Sequence, residues 1–254
     1  MRRKRNNPGR GPDPDFPYLS EHERFDFPPA DDDSGDIVAI GGNLSPGMLL
    51  SAYEQGIFPW YNPEDPLIWQ SPDPRLVIFP HNLHVSTSME RILKRGDFTI
   101  ALDRNFAGVI KACGEVKRPG QKGTWINKDI IKAYTELHRL GWAHSAESYV
   151  QGELVGGCYG VRLGGVFVGE SMFAKRSNAS KAAFLTLART LFADKLELID
   201  CQVPTVHLKS LGGIETARNF YLWRLQRIMK RRENEGDLDA SDRRGNWGAR
   251  YNLL

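Results

Sequence analysis

The feature that most constrains this chain is a change of hydrophobic period at Gly141. Beyond it, Ala143–Val150, Leu154–Arg162 and Val166–Phe173 read as three strands, joined by Gln151-Gly152 and by Leu163-Gly164-Gly165. Short, turn-rich connections of this kind make an antiparallel meander. A helix follows, capped by Asn178 or Ser177. Its apolar residues Phe184, Leu187, Ala188, Leu191 and Phe192 fall at positions i, i+3, i+4, i+7 and i+8. Leu196–Val203 then reads as a strand and Arg218 to about Met229 as an amphipathic helix. The order β-β-β-α-β-α specifies an α+β unit over roughly 140–230, placed behind a smaller mixed one.

The first half of the chain has helical spacing. Ser45-Pro46 offers a cap and a proline at the first helical position; Leu49, Ala52 and Tyr53 follow, and Gly56 closes the turn. A second helix spans about Ser86–Arg95, with Met89, Ile92 and Leu93 inward and Arg91, Lys94 and Arg95 outward. A third covers about Asp103–Cys113. A fourth starts at the Asn127 cap and stops at Gly141. Between them lies a basic, glycine-rich loop from Val116 to Trp125. Residues 1 to about 15 and the polar tail after Met229 lack the apolar content to form a core. Residues 16–36 read as an extended surface connection, so that the packed protein is expected to begin near Ile37.

Composition narrows the classes. A hydrophobic fraction of 41% and an aromatic fraction of 10% bury enough surface for a folded protein, and a formal charge of +3 confines any nucleic-acid contact to a local patch. Cys113, Cys158 and Cys201 are odd in number and widely spaced, which fits neither a disulfide framework nor a zinc ribbon and agrees with a reducing cytoplasm. No apolar segment follows the basic start and no run of eighteen apolar residues occurs, so neither export nor membrane spanning is expected.

Two strands carry polar groups where a buried sheet favours apolar ones. In Leu198-Ile199-Asp200-Cys201-Gln202 the period of two sets Asp200 and Gln202 on one face, and in Val168-Gly169-Glu170-Ser171-Met172 it sets Glu170 among apolar neighbours. The competing reading is that Asp200 caps the following turn or pairs with Lys209, and that Glu170 is solvated. Trp60 and Trp125 stand outside the apolar stripes. Such residues stack on bases, at roughly 1–3 kcal/mol each, or pack at a domain seam. The basic helix face is either a phosphate contact or an ordinary solvated surface. A P-loop and an H-E-x-x-H are absent, His81 and His84 lack a third metal ligand, and Ser171 lacks the second glycine of a nucleophile elbow.

Taken together these segments resemble the bacterial leucyl/phenylalanyl-tRNA–protein transferases. The resemblance runs through Gly41-Gly42-Asn43-Leu44-Ser45-Pro46, Ala52-Tyr53-Glu54-Gln55-Gly56-Ile57-Phe58-Pro59-Trp60, Trp69-Gln70-Ser71-Pro72-Asp73-Pro74-Arg75 and Gly123-Thr124-Trp125-Ile126. It continues in Ala143-His144-Ser145-Ala146-Glu147, in Leu154 to Val161, and in Gly169-Glu170-Ser171-Met172-Phe173. Asn178-Ala179-Ser180-Lys181 and Leu198 to Gln202 complete it.

The resemblance implies an α+β chain with a small mixed N-terminal domain over 37–100 and an N-acetyltransferase-like acyltransferase domain over 101–230. These are flanked by a flexible or extended segment 1–36 and a disordered tail 231–254. It implies transfer of Leu or Phe, and less well Met, from the charged tRNA to the α-amino group of a protein beginning with Arg or Lys, which marks that protein for degradation. The ester donor is already activated, so neither a cofactor nor a metal is expected. By position, Asp200, Gln202 and Glu170 match the polar active-site set, and Trp60 and Trp125 match the holders of the terminal adenosine. Cys158, Phe167, Met172, Phe184, Leu187, Leu191 and Ile199 match the aminoacyl side-chain pocket; Arg91, Lys94 and Arg95 match the tRNA-backbone contact. Asp200, supported by Gln202, is expected to bond the attacking amine and to remove its proton, with Glu170 orienting the donor. A small-molecule acyltransferase using a CoA thioester and a non-catalytic tRNA-binding module are the alternatives.

Overall fold

The structure, a computed structural model, describes residues 9–30, 35–116 and 124–234. Residues 117–123 of the basic loop and the polar tail from 235 onward lie outside the described residues.

Strand β1 (Ile37–Ile40) leads into helix α1 (Pro46–Glu54), with β2 (Phe58–Pro59) and β3 (Ile68–Gln70) after it; the three strands make a small antiparallel sheet in the order β1-β3-β2. Ser45 precedes α1 as expected but makes no side-chain cap bond. Its Oγ instead accepts the Leu19 N–H at 3.1 Å. The upstream segment is extended yet tied along α1, with the Phe25 N–H donating to Ser51 Oγ at 2.8 Å and the Phe27 N–H to Gln55 Oε1 at 3.0 Å. Phe27 is buried against Trp69. Packing therefore begins upstream of Ile37, because aromatic residues spaced between prolines bury surface without forming a regular element.

The rest builds one large sheet. Strand β4 (Arg75–Ile78), helix α2 (Thr87–Arg95), strand β5 (Thr99–Leu102), and helices α3 (Phe106–Glu115) and α4 (Lys128–Arg139) precede the meander β6 (Ala143–Val150), β7 (Glu153–Leu163) and β8 (Val166–Ala174). Helix α5 (Ala179–Ala193), strand β9 (Leu198–Asp200), helix α6 (Val206–Ser210), strand β10 (Ile214–Thr216) and helix α7 (Arg218–Asn234) complete the chain. The sheet order is β10-β4-β9-β8-β7-β6-β5, and β8 with β9 is its parallel pair. A parallel pair requires a crossover, and α5 is that crossover. The structure thus has the expected mixed helix-and-sheet class and the expected β-β-β-α-β-α order, with α6 and β10 inserted before the last helix.

Local signals explain the helix limits. Ser86 Oγ accepts the Met89 N–H and Gly96 closes α2 in the left-handed region; Asn105 and Asn127 cap α3 and α4 through their side chains. The expected cap on α5 differs, since Asn178 is itself left-handed and makes no side-chain cap bond. One face of the sheet carries α1, α3, α4 and α7 over Val161, Val166, Val168 and Leu198; the other carries α2 and α5 over Phe167, Cys158 and Ile199. Such coverage on both sides explains why every residue of β6 from Ala143 to Tyr149 is buried, polar ones included.

The expected strand 196–203 is shorter than its pattern. Pairing of β9 with β8 ends at Asp200 opposite Val168, and Gln202 adopts φ of 62°. Cys201 N–H then donates to the Leu76 carbonyl at 2.8 Å, and Leu76 N–H to the Gln202 carbonyl at 3.0 Å, so the chain stays with β4 while β8 runs on paired with β7. The two parallel strands part at this point, and the gap between them is the site.

Candidate active site

A cavity of about 450 Å³ occupies the gap. Glu170 and Met172 from β8, Cys158 from β7 and Gln202 beyond β9 line it, and Trp60 and Trp125 stand on its wall. Phe167 and Phe184 extend the lining on the apolar side. The two tryptophans lie far apart in sequence and on either side of residues 117–123, so their meeting at one cavity is a property of the fold.

Glu170 is the carboxylate among the lining residues, and it is almost fully buried. Its Oε1 accepts the Tyr53 hydroxyl at 2.7 Å and the Gln202 amide Nε2 at 2.8 Å, and Oε2 accepts the Tyr134 hydroxyl at 3.2 Å. Tyr53 and Tyr134 also bond each other. Burial pushes the Glu170 carboxyl up to about 7, the nearby Asp200 charge adds to the rise, and the tyrosine and glutamine donors oppose it. A carboxyl poised there exchanges a proton at neutral pH with little driving force needed, which is what acid–base work demands. The same desolvation raises the thiols of Cys158 and Cys201, which are therefore neutral, apolar wall.

Asp200 does not share a face with Gln202. It is fully buried, one layer behind the cavity. Arg75 Nε donates to its Oδ1 at 2.8 Å and Arg75 Nη2 to its Oδ2 at 2.6 Å; the Tyr221 hydroxyl donates to Oδ2 and the Gln202 backbone N–H to Oδ1, each at 2.8 Å. Four donors fill a carboxylate's acceptor positions. The turn at Gln202 reverses the period of two, which explains the displacement. Lys209, the other partner considered for Asp200, pairs with Glu215 instead. Burial alone would loosen the Arg75 proton, but the Asp200 charge overrides it and holds the guanidinium more firmly protonated than usual.

Of the expected aminoacyl pocket, Cys158, Phe167, Met172 and Phe184 line the cavity. Leu187, Leu191 and Ile199 lie behind Phe167 and Phe184 in the core. Arg91, Lys94 and Arg95 occupy the exposed face of α2, outside the cavity lining, and Arg95 bonds Asp97. Sequence reasoning missed the roles of Tyr53, Tyr134, Arg75 and Tyr221. A signal existed for Arg75, a charged residue heading the apolar run Leu76-Val77-Ile78. None existed for the tyrosines, which sit within ordinary apolar stripes. Also missed was His207, which lines the cavity and whose ring is held towards the neutral form, first by burial and then by the Lys181 charge.

A mixed α+β sheet that parts beside an apolar-lined cavity, with a buried carboxyl of raised proton affinity on its wall, can hold an apolar group beside an acid–base group. Comparison with known proteins agrees and goes further. Residues 77–226 match the family described as leucyl/phenylalanyl-tRNA protein transferase, and residues 42–73 match that family's N-terminal domain. The leucyl/phenylalanyl-tRNA–protein transferase of Nitrosospira multiformis is 51% identical over 193 residues, covering 76% of this chain and 83% of its own. That of Myxococcus xanthus is 45% identical over 234 residues, covering 92% and 96%. Among solved structures, a GCN5-related N-acetyltransferase from Kribbella flavida aligns with a TM-score of 0.37 at 13% identity, over 68% of this chain and 62% of that one, too distant to bear on the reaction. The chain belongs to the leucyl/phenylalanyl-tRNA protein transferase family, a family of aminoacyltransferases. Among the described residues no helix is long and apolar enough to cross a membrane, and no group of three or more His, Cys, Asp and Glu is placed to hold a metal ion.

Proposed function

We propose that this protein transfers Leu or Phe, and less well Met, from aminoacyl-tRNA to the α-amino group of proteins that begin with Arg or Lys, in the cytoplasm, and that the added residue marks the acceptor for degradation. The observation that carries the reading is one cavity combining a tryptophan pair, an apolar lining and Glu170. In it the aminoacyl side chain lies against Cys158, Phe167, Met172 and Phe184, and the terminal adenosine lies against Trp60 and Trp125. Phosphates of the tRNA meet Arg91, Lys94 and Arg95 on α2.

The neutral amine attacks the ester carbonyl, a C–N bond forms, and the bond to the ribose oxygen breaks. The amine proton ends on that oxygen. Glu170, with its proton affinity near neutral, is the group set to receive and return the proton, and Gln202 holds it in place through its amide N–H. Asp200, behind them, has no acceptor position left for the amine and serves to hold Gln202. Burying the apolar side chain and fixing the ester beside the amine removes the entropy of bringing them together.

The test is incubation of the purified protein with radiolabelled Leu-tRNA and two peptides that differ in starting with Arg or Ala. Label on the Arg peptide alone is the expected result. Label on neither peptide, with charged tRNA still bound, rejects the transferase reading for a binding protein.

A further inference from the structure

Gln202 occupies a conformation its own chemistry disfavours. Its φ of 62° lies in the left-handed region, which a side chain with a Cβ populates sparsely. Two bonds hold it there: the backbone N–H to Asp200 Oδ1 at 2.8 Å and the carbonyl accepting from Leu76 N–H at 3.0 Å. Both lead to β4. Leu76 belongs to that strand, and Asp200 is itself clamped by Arg75 at the strand's first position. The Arg75 guanidinium grips both Asp200 oxygens, donates to the Gly56 carbonyl at 3.1 Å, and sits 4.9 Å from the Phe58 ring centroid and 4.5 Å from that of Tyr221. Every polar edge of this buried pair is therefore directed. Arg75 and Asp200 are both fully buried, and such a pair gives little net stability over apolar residues of equal volume, so a role beyond stability is called for.

The consequence at the cavity is geometric. With Gln202 turned as it is, its Nε2 reaches Glu170 Oε1 at 2.8 Å and holds that carboxylate at the wall. We infer that Arg75 is a positioning residue for the transfer reaction: by clamping Asp200 it fixes the left-handed turn at Gln202, which in turn aims Glu170 at the reacting atoms. The inference rests on the reading that Glu170 and Gln202 face the ester and the amine. Arg75 touches neither substrate. Its bidentate fork is what the task requires, because a lysine offers a point charge that orients one oxygen at a time.

The test replaces the pair together, Arg75→Met with Asp200→Leu, leaving no lone buried charge. The expected variant has a melting temperature near wild type, a KM for Leu-tRNA within about threefold, and a kcat lowered about 100-fold, the usual cost of a small misplacement. In a Gln202→Ala background the same replacement costs nothing more, since the effect runs through Gln202. A kcat within about threefold of wild type, or a loss that multiplies fully with Gln202→Ala, overturns the inference. Should the double variant fail to fold, Asp200→Asn is compared with Asp200→Ala. The Asn side chain keeps an oxygen for the Gln202 N–H, so it retains at least about tenfold more kcat than Ala, and equal losses overturn the inference. Amide hydrogen exchange at Gln202, protected in the wild type and accelerated in Arg75→Met with Asp200 kept, reads the clamp without substrate. If the wild type transfers no leucine while exchange at Gln202 still depends on Arg75, it is the proposed function that fails and not the clamp; unchanged exchange overturns the clamp.

Discussion

The Tyr53 hydroxyl donates to Glu170 Oε1 at 2.7 Å, tying helix α1 to the carboxylate at the cavity wall. Since that bond favours the charged carboxylate, its removal makes Glu170 harder to ionise. For Tyr53→Phe we expect the pH at which kcat/KM for leucine transfer is half-maximal to rise, by about one to two units for a lost bond to a charged group. A rate–pH profile shows it; a profile superimposable on the wild type's removes Glu170 from the proton path.

Stability carries the same group's signature. Glu170 holds its proton to about 7 in the folded protein against a reference value of 4.5, so between those values the folded state binds more protons than the unfolded one. Stability from this residue is thus complete below about 4.5 and falls as pH rises through 7, by on the order of 3 kcal/mol. Glu147, also raised by burial, acts in the same direction. Thermal melts of wild type and Glu170→Gln across this range isolate the Glu170 share as a difference that widens with pH. A constant difference contradicts the assignment.

Trp60 and Trp125 predict a binding defect. Replacing either with Ala weakens aminoacyl-tRNA binding about 5- to 150-fold, corresponding to roughly 1–3 kcal/mol per stacked base. Trp223, half exposed on α7 and absent from the cavity wall, is the control, and its replacement leaves affinity unchanged. Titration at fixed salt reads the difference, since the phosphate contribution depends on ionic strength.

Gly56 predicts a folding defect. At its φ of 75° an added Cβ meets Leu222 Cδ2 at 2.3 Å and Tyr221 Cε1 at 3.1 Å. Gly152 has φ of 81° with nothing within 4 Å, so it carries the conformational cost alone. In urea unfolding, Gly152→Ala is expected to lose about 1 kcal/mol and Gly56→Ala more than about 2 kcal/mol, the excess being overpacking. Equal losses refute the contact between α7 and the residues leading to the cavity.

Much of this was legible before any coordinates. The meander limits at Ala143–Val150, the helix start near Ser86, the cap at Asn127 and the apolar stripe of α5 are local signals legible at their true places, because period and capping depend on neighbours in sequence. The short strands β1, β2, β3, β4, β5 and β10 leave no legible pattern in the sequence. Two to four residues hold too little periodic pattern, and their stability comes from partners distant in the chain.

The site divides along the same line. Sequence by itself determined which residues are chemically unusual for their places, Glu170 and Asp200 in strands and Trp60 and Trp125 outside the stripes, and it determined the family through their order. Tertiary structure alone decided which of them reach the cavity. Asp200 was withdrawn into the pair with Arg75, Leu187 and Leu191 were set behind Phe184, and Tyr53 and Tyr134 were brought to Glu170 from separate helices. The physical reason is that side-chain direction follows a local period only while the backbone stays regular. A single left-handed residue at Gln202 reverses it, and burial, which sets the proton affinity of Glu170, is a property of surroundings assembled from the whole chain.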